Sequence, residues 1–357
     1  MKIFFANGRR TYPLFNGGDG ILIHDYLLEL SRNGHNITAI GKINNPDFKE
    51  STKTVANKLI KLGIKLNNIK NNALVYSHND NYHCQLFSEN TFLKQLEIEL
   101  IKNKPDIILT QLNYSHKVIE IASKLNIKII LLIHDNHAYN FLPINKGESI
   151  SHIIFNSKNT ANHFKQYINC PYSIIYPCIN AKDYEVETVN KNYITMINPT
   201  ENKGGNILLE ITKNMPNENF LVVKGWKKLD TKFTKFKNVK IIDRQYDMRK
   251  VYSQTKILLV PSQWEEAFAR VVPEAMISGI PVVASKVGGL IESVGNAGVL
   301  IDDFVNTKPW ILEIRKLLNS DKYFKYISNL GFAQSKKFKF RNGFLKLMKV
   351  LNSVHNS

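Results

Sequence analysis

Short apolar runs alternate with amphipathic segments along the first half of the chain. We interpret the runs as strands and the segments as helices, because buried parallel strands are continuously apolar whereas helices repeat every three to four residues. The predicted strands are Lys2–Ala6, Asn36–Gly41, Asp106–Thr110, Ile127–Ile133, Ser151–Phe155 and Tyr172–Tyr176. The predicted helices are Gly20–Asn33, Ser115–Leu125 and Lys158–Ile168. This alternation predicts a parallel sheet with helices on both faces.

The second half starts the same alternation again after a segment without apolar periodicity. That segment, residues 180–192, carries mixed charge and is predicted to be a linker. The elements after it are predicted to be the strands Tyr193–Ile197, Phe220–Lys224, Val239–Asp243 and Lys256–Val260, the helix Asn206–Asn214 and a final amphipathic helix, Phe338–Val350. The pattern therefore predicts an α/β protein with two Rossmann-like domains, over residues 1–179 and 193–337.

Length and composition agree with that organisation and narrow the class of protein. A chain of 357 residues suits two domains. No apolar run reaches the length of a membrane span, and the N-terminus does not read as a signal peptide. The three cysteines, Cys84, Cys170 and Cys178, show no pairing or metal-site spacing, which favours a reducing, cytoplasmic compartment.

The net charge of +18 favours anionic partners: sugar nucleotides, lipid surfaces or nucleic acid. Basic residues are dense in residues 224–250 and 322–349, and phenylalanines alternate with lysines in the second stretch. The simplest interpretation is a pair of amphipathic helices with a solvated cationic face. The alternative is a peripheral contact with an anionic membrane at its inner face. No nucleic-acid-binding motif accompanies the charge, so we do not expect a nucleic-acid partner.

The segment Pro261–Glu292 follows an apolar strand and contains two glutamates that are predicted to lie in different elements. Glu266 falls in a polar loop, whereas Glu274 falls in the first turn of a short helix that Pro273 is predicted to open and Gly279 to close. The positive helix end and nearby glycine backbone, including Gly288, suit an anion. The two carboxylates can accept hydrogen bonds from hydroxyl groups of a ligand. Together they predict a site for a ligand with many hydroxyls and a phosphate, which describes a sugar nucleotide.

The whole ordered block resembles the signature of the retaining glycosyltransferases of the GT-B fold, in particular the GT4-like family (glycosyl transferases group 1). The matching features are Glu266, Glu274, the strand start Gly279-Ile280-Pro281-Val282 and the turn Gly288-Gly289. The resemblance implies two Rossmann-like domains that face each other across a cleft, with the last helix, about residues 338–357, returning to the first domain. It is strong over Lys256–Ile301 and weak between residues 42 and 105.

The first loop of the chain contains a glycine cluster between the first strand and the first helix. Gly17 and Gly18 would let backbone N–H groups approach an anion at the helix N-terminus, although a flexible loop that needs positive φ is the alternative. The resemblance implies that this loop lies near the donor phosphates and the acceptor. Arg9, Arg10 and Asp19 are accordingly candidate acceptor-binding residues, and solvated arginines are the alternative.

The second domain opens with Asn198-Pro199-Thr200-Glu201-Asn202-Lys203-Gly204-Gly205. By resemblance, Lys203 matches the lysine that contacts the donor diphosphate. The family has an arginine where this chain has Asn198, so one cation is missing from the expected phosphate site. Arg270 is a nearby candidate to replace it, because guanidinium groups can bind a diphosphate bidentately. A surface arginine is the alternative interpretation.

His134 ends an apolar strand, and ligands in open α/β sheets bind at the carboxyl ends of strands. The resemblance implies that His134 lies close to the transferred sugar. His78, His83 and Cys84 stand near one another in the sequence, but no second cluster completes four metal ligands. We therefore expect a loop there and no metal ion.

The resemblance implies a metal-independent hexosyltransferase that retains anomeric configuration, with a nucleoside-diphosphate sugar as donor (UDP or GDP favoured) and no cofactor. The acceptor is a glycan, a lipid or a small hydroxylated molecule. In this family pattern Glu274 binds ribose, while Glu266 and the backbone of Phe268, Ala269 and Arg270 hold the sugar. His134 and Glu266 are the candidate catalytic residues. Two alternatives stay open: a nucleotide-sugar epimerase of similar fold, and a non-catalytic polyanion-binding protein on the same scaffold.

Overall fold

The computed structural model describes residues 1–15, 17–44, 49–70, 73–137, 141–144, 149–187, 191–225 and 228–357. Contacts within the chain divide it into two units. The first contains Met1–Ile175 and Phe344–Ser357, and the second contains Tyr176–Gly343. This division lies just before the predicted linker. In the described part of that linker, a short 3₁₀ helix, Ala181–Asp183, is followed by the buried Tyr184, which packs in the core of the second unit.

The first unit is built on a sheet of nine strands. In chain order its elements are β1 (Lys2–Ala6), α1 (Gly18–Arg32), β2 (Asn36–Lys42), α2 (Thr52–Lys61), β3 (Leu66–Lys70), β4 (Ala73–Asn79), β5 (Tyr82–Phe87), α3 (Phe92–Asn103), β6 (Ile107–Gln111), α4 (Ser115–Lys124), β7 (Lys128–Ile133), α5 (Phe141–Ile144), β8 (His152–Phe155), α6 (Lys158–Phe164) and β9 (Tyr172–Ile174).

The strand order in this sheet is β3-β4-β5-β2-β1-β6-β7-β8-β9. All neighbouring pairs from β5 to β9 are parallel, as the apolar runs predicted. The pairs β3–β4 and β4–β5 are antiparallel, which the sequence interpretation missed. Because β1, β2, β6 and β7 run in one direction, their carboxyl ends meet at one edge of the sheet, where the candidate residues of the first unit lie.

The second unit contains a sheet of six parallel strands in the order β12-β11-β10-β13-β14-β15. Its elements are β10 (Tyr193–Ile197), α7 (Gly205–Asn214), β11 (Phe220–Val223), β12 (Val239–Ile242), α8 (Arg249–Tyr252), β13 (Thr255–Val260), α9 (Val271–Met276), β14 (Val282–Ser285), α10 (Leu290–Val294), β15 (Val299–Ile301), α11 (Thr307–Asn319) and α12 (Asp321–Ser335). A last helix, α13 (Phe340–Asn356), ends within the first unit.

Continuous burial explains why the parallel strands could be predicted from the sequence. Every residue of β6, β11 and β14 is buried, so these strands show a mainly apolar run, with Thr110 and Gln111 at the end of β6 and Ser285 at the end of β14, rather than an alternating pattern. The predicted two-domain α/β fold is therefore confirmed. Within the described parts of the chain, none of the helices combines the length and the apolar character needed to cross a bilayer. The contact with an anionic membrane stays a prediction.

Candidate functional site

Three adjacent parallel strands of the second unit end at the edge that carries the predicted donor residues. Asn198 follows β10, Glu266 lies in the loop after β13, and Gly288 follows β14. We call residues 261–268 the glutamate loop. Helix α9 begins at Val271, after Ala269 and Arg270, so Pro273 is its third residue rather than its first. Glu274 lies in the first turn, as predicted.

Glu266 is buried and receives all its hydrogen bonds from the described residues on one carboxylate oxygen. Oε1 accepts from Lys203 Nζ at 2.7 Å, Ser262 Oγ at 2.7 Å and Trp264 Nε1 at 3.0 Å. Burial pushes the pKa of Glu266 upward, but the Lys203 charge and these donors outweigh it and hold the pKa below its usual value. Glu266 is therefore an ionised acceptor at neutral pH, with Oε2 outside this set of bonds.

Lys203 reaches Glu266 because glycine backbone brings two loops into close contact. Gly204 has φ +86°, and a side chain there would place its Cβ 1.9 Å from the carbonyl oxygen of Pro261. Gln263 N–H donates to the carbonyl of Asn202 at 2.8 Å, which joins the same two loops. The Lys203 ammonium also lies 5.6 Å from the centre of the Trp264 ring. The loops thus place a cation and an anion together at the strand ends.

Gly288 and Gly289 have a packing function that the sequence interpretation did not foresee. A Cβ on Gly288 would lie 2.6 Å from the carbonyl oxygen of Glu266, and a Cβ on Gly289 would lie 1.9 Å from that of Ala267. Gly289 N–H donates to the Glu266 carbonyl at 2.6 Å. The glycine pair therefore presses against the glutamate loop. Gly288 as a direct donor contact stays a prediction.

Glu274 and Arg270 form a buried ion pair on successive turns of the chain. Arg270 Nε lies 3.1 Å from Glu274 Oε1, and their side chains are 7% and 8% exposed. Tyr252 Oη donates to Glu274 Oε2 at 2.8 Å, and Arg270 Nη2 donates to Tyr184 Oη at 2.9 Å. Burial and the adjacent Glu274 charge raise the pKa of Tyr252 well above its usual value, so this tyrosine remains a donor. Arg270 is buried together with its anionic partner, which weakens its candidacy as the missing phosphate cation.

Phe268, Ala269 and Asn198 are placed by the backbone and by aromatic packing. The Phe268 ring stacks on Tyr176, with ring centres 5.5 Å apart, so only its main chain remains for a ligand. Ala269 has φ +64° and Asn198 has φ +56°, values that non-glycine residues adopt only where the surroundings impose them. Asn198 is buried and donates its N–H to Val223 at 2.8 Å. Its side chain cannot replace a cation.

In the first unit the structure brings Arg9, Asp19 and His134 together. Arg9 Nη1 lies 3.9 Å from Asp19 Oδ2, and Asp19 stands in the first turn of α1. Burial lowers the pKa of His134, partly offset by Asp19 and Asp135, while the Arg9 charge lowers it further. His134 is therefore neutral near pH 7. Its ring Nε2 donates to Gln111 Oε1 at 2.8 Å, a partner that the sequence interpretation missed.

Arg10 and Gly17 of the first loop have surroundings within the first unit that the sequence did not predict. Arg10 donates to the carbonyl of Ile43 at 2.5 Å and to Glu50 at 2.7 Å, so its guanidinium is engaged within the first unit. Gly17 precedes α1 in an extended conformation with φ −65°, which does not need glycine. A Cβ there would instead lie 3.0 Å from both Asp19 Oδ1 and the Phe15 ring. Gly18 is the first residue of α1.

The expectation of a loop around His78, His83 and Cys84 is wrong. His78 lies in β4, and His83 and Cys84 lie in β5. The His78 ring packs 4.5 Å from that of His24, which stacks on Tyr12 at 3.9 Å. Burial lowers the pKa of His78 to about 4 and raises that of Cys84 to about 12. Among the described residues, no group of three or more His, Cys, Asp or Glu side chains is placed to hold a metal ion.

The packed rings of His24 and His78 predict that the first unit loses stability in acid. Burial, together with the neighbouring His78, also lowers the pKa of His24 well below its usual value. Between pH 6.5 and about 4 the unfolded chain binds a proton at His78 that the folded chain rejects. Stability is therefore full above that window and falls as pH drops through it, by at most about 3 kcal/mol from His78.

Urea denaturation of the full chain at several pH values measures this loss. His78→Phe should flatten the acid side of the profile, whereas His83→Phe, at an exposed position of β5, should leave it unchanged. Equal acid sensitivity of wild type and His78→Phe would show that other groups control it.

Comparison with known proteins agrees with this geometry. Residues 182–332 match the family model described as glycosyl transferases group 1. Spore coat protein SA of Bacillus subtilis is 37% identical over 78 residues, which is 21% of each chain. D-inositol 3-phosphate glycosyltransferase of Segniliparus rotundus is 37% identical over 93 residues, 26% of this chain and 20% of the relative. The aligned part thus spans about a fifth of the length of these relatives.

Solved structures of similar fold cover nearly the whole chain. Sucrose-phosphate synthase from Thermosynechococcus elongatus matches with a TM-score of 0.77 at 13% identity over 99% of both chains. Anabaena Alr3699/HepE in complex with UDP matches with a TM-score of 0.76 at 16% identity, over 99% of this chain and 100% of the other. The chain therefore has the GT-B fold that its motifs predicted, and its residues 182–332 are similar to the glycosyl transferases group 1.

Proposed function

We propose that this protein transfers a hexose-type sugar from a nucleoside-diphosphate sugar to a hydroxylated acceptor, with retention of anomeric configuration and without a metal ion. The observation that carries the proposal is the Lys203–Glu266 pair at 2.7 Å, at the carboxyl edge of a parallel sheet. A cation next to an ionised carboxylate suits a ligand that is anionic at one end and rich in hydroxyls at the other. A sugar nucleotide is such a ligand.

The contacts of the second unit suggest how the donor is divided among the side chains. We assign the diphosphate to Lys203, because its side chain is partly exposed whereas Arg270 is buried against Glu274. Glu266 holds hydroxyls of the sugar through Oε2, since its bonds to Lys203, Ser262 and Trp264 all end on Oε1. Glu274 accepts from the ribose hydroxyls on the lone pairs that Arg270 and Tyr252 leave, since a carboxylate has about four acceptor positions. Alr3699/HepE, a neighbour in fold, has been solved with UDP and with UDP-glucose.

In the proposed reaction the protein stabilises the diphosphate leaving group and supplies no nucleophile. The bond between the anomeric carbon and the diphosphate oxygen breaks, and a bond to the acceptor oxygen forms on the same face. The acceptor proton passes to a phosphate oxygen of the leaving group. Lys203 stabilises the charge that develops on the diphosphate. Neutral His134, with Arg9 and Asp19 beside it, supplies polar contacts on the acceptor side, and no metal ion is needed.

Donor binding tests the assignment of Lys203. Lys203→Met should weaken binding of UDP or GDP by about tenfold to a hundredfold, because a charge-assisted hydrogen bond contributes roughly 1.5–3 kcal/mol. Isothermal calorimetry measures the change. Lys232→Met is the matched control, since Lys232 is exposed and pairs with Asp230. Unchanged affinity in Lys203→Met would remove Lys203 from the phosphate site.

A transfer assay then separates the proposed activity from its alternatives. A thermal-shift comparison of UDP-, GDP-, ADP- and TDP-sugars identifies the donor, and product analysis with candidate acceptors follows. Transfer that persists in EDTA supports the metal-independent reaction, whereas loss of transfer restored only by a divalent ion contradicts it. Conversion of the donor sugar without any acceptor would indicate an epimerase. Binding of polyanions in general, with no preference for a nucleotide, would indicate a non-catalytic scaffold.

A further inference from the structure

The segment that follows β6 has an unusual backbone for residues that carry side chains. Leu112 has φ +59° and Tyr114 has φ +69°, both in the left-handed region that favours glycine. Leu112 is buried, so its conformation is held by packing. Such backbone persists only where surrounding contacts impose it, and it is concentrated at functional sites. Residues 111–114 are therefore candidates for a functional role.

The contacts of residues 111–114 go to the residues assigned to the acceptor side. Gln111 Oε1 accepts from His134 Nε2 at 2.8 Å. Asn113 Oδ1 accepts from Arg9 Nη2 at 3.1 Å, and the Asn113 carbonyl accepts from Gly8 N–H at 3.0 Å. One short segment thus holds both the candidate histidine and the candidate arginine of the first unit.

The direction of the Gln111 bond determines which ring nitrogen of His134 carries the proton. A carboxamide oxygen only accepts, so Nε2 of His134 must be the N–H donor and Nδ1 the nitrogen with the lone pair. Gln111 is fully buried, and its amide nitrogen has no hydrogen-bond partner among the described residues. Among the described residues, the histidine is therefore the hydrogen-bond partner of this side chain, and no competing acceptor draws the amide nitrogen away.

We propose that Gln111 is a positioning residue that keeps His134 in the Nε2–H tautomer, so that Nδ1 is its basic nitrogen. This inference rests on the proposed role of His134 in sugar transfer. A glutamine suits the task better than a carboxylate at this buried strand end. A carboxylate would pair with the imidazolium and charge the ring, adding to Asp19 and Asp135, which already favour the charged form against the Arg9 charge.

Nitrogen NMR of the full-length protein labelled with ¹⁵N-histidine tests the tautomer directly. The signals of His134 are assigned by their loss in His134→Gln. In wild type at neutral pH, Nε2 should carry the proton and Nδ1 should show the shift of an unprotonated ring nitrogen. Gln111→Met should mix the two tautomers, and Gln111→Glu should keep the ring protonated at pH values at which the wild-type ring is neutral. An Nδ1–H tautomer in wild type, or an unchanged spectrum in Gln111→Met, would overturn the proposal.

Turnover measurements add a readout that a purely structural residue would not change. Gln111→Met should lower turnover about tenfold to a hundredfold, as loss of a residue that orients a functional histidine does at metal sites, with the KM for the donor unchanged. Gln111→Glu should restore part of the turnover and move the acid limb of the pH profile upward. Gln85→Met in β5 is the matched control and should behave as wild type.

The NMR and turnover measurements distinguish failure of this proposal from failure of the proposed function. Absence of transfer in every variant, including wild type, would contradict the proposed function, while the NMR spectra would still decide the tautomer. Normal turnover in Gln111→Met together with a mixed tautomer would overturn the positioning role and leave the proposed function standing. Should Gln111→Met fail to fold, the wild-type spectrum and the Gln111→Glu titration decide the proposal.

Discussion

Arg270→Leu is expected to destabilise the second unit by about 3–5 kcal/mol, because it leaves the buried Glu274 carboxylate without its charge partner. The two side chains are 7% and 8% exposed, so water cannot replace the guanidinium. Tyr252 would remain as a hydrogen-bond donor to Glu274. In a unit of this size, each kcal/mol lowers the melting temperature by about 2–4 °C. Differential scanning calorimetry should therefore show a loss of roughly 6–20 °C.

Two further variants give this prediction its controls. Arg249→Leu breaks the exposed pair with Asp247 and should leave the melting temperature nearly unchanged. The double variant Arg270→Leu/Glu274→Leu removes both buried charges, and we expect it to recover part of the lost stability. A melting temperature of Arg270→Leu equal to that of wild type would show that Glu274 finds other compensation. Weak UDP binding in a stable Arg270→Leu protein would instead restore Arg270 as the cation that replaces the family arginine.

Glu266→Gln is expected to lower turnover by about a hundredfold or more, the scale seen when one preorganised polar group is removed from an active site. The substitution keeps the shape of the side chain but removes its charge, so the bonds from Lys203, Ser262 and Trp264 lose their ionic character. The sugar would also lose a carboxylate acceptor. Steady-state kinetics with the donor identified by thermal shift measures the effect.

Glu265→Gln is the matched control, because it makes the same change at the adjacent, exposed position. Binding of the bare nucleoside diphosphate should change little in Glu266→Gln, since Glu266 is assigned to the sugar. A variant with normal turnover would remove Glu266 from the candidate catalytic residues. A variant with weak UDP binding and normal turnover at saturating donor would show that Glu266 acts on diphosphate binding, through its ion pair with Lys203, and not on the sugar.

The central strands and the donor edge were predictable because each depends on local pattern and sheet direction. The run Ile107–Gln111 is buried throughout and so reads as a strand. Parallel strands end at one edge, which is enough to bring Lys203 near Glu266 although 63 positions separate them. Contacts set by distant packing were not predictable in this way. The partners of Arg270 and Glu274, Tyr184 and Tyr252, lie in segments whose positions no local pattern indicates.

The antiparallel part of the first sheet was missed for a related reason. Strand β4 carries Ser77, His78 and Asn79 after a short apolar start, a composition typical of a loop. His78 is nevertheless largely buried, because aromatic rings from other elements pack around it and keep it neutral. Gln111 was missed because the polar end of this apolar strand, Thr110 and Gln111, does not differ, in the sequence, from an ordinary strand terminus.

The contact between Gly288-Gly289 and the glutamate loop has a consequence for the entropy of ligand binding. A loop that orders only when a ligand arrives reduces affinity by the conformational freedom it loses. Here the Gly289 N–H bond to the Glu266 carbonyl, together with backbone approaches too close for any side chain, orders the loop beforehand. Gly288→Ala would push that loop outward, so its effect on the donor should be a larger unfavourable binding entropy, even where every polar group that meets the sugar is still present.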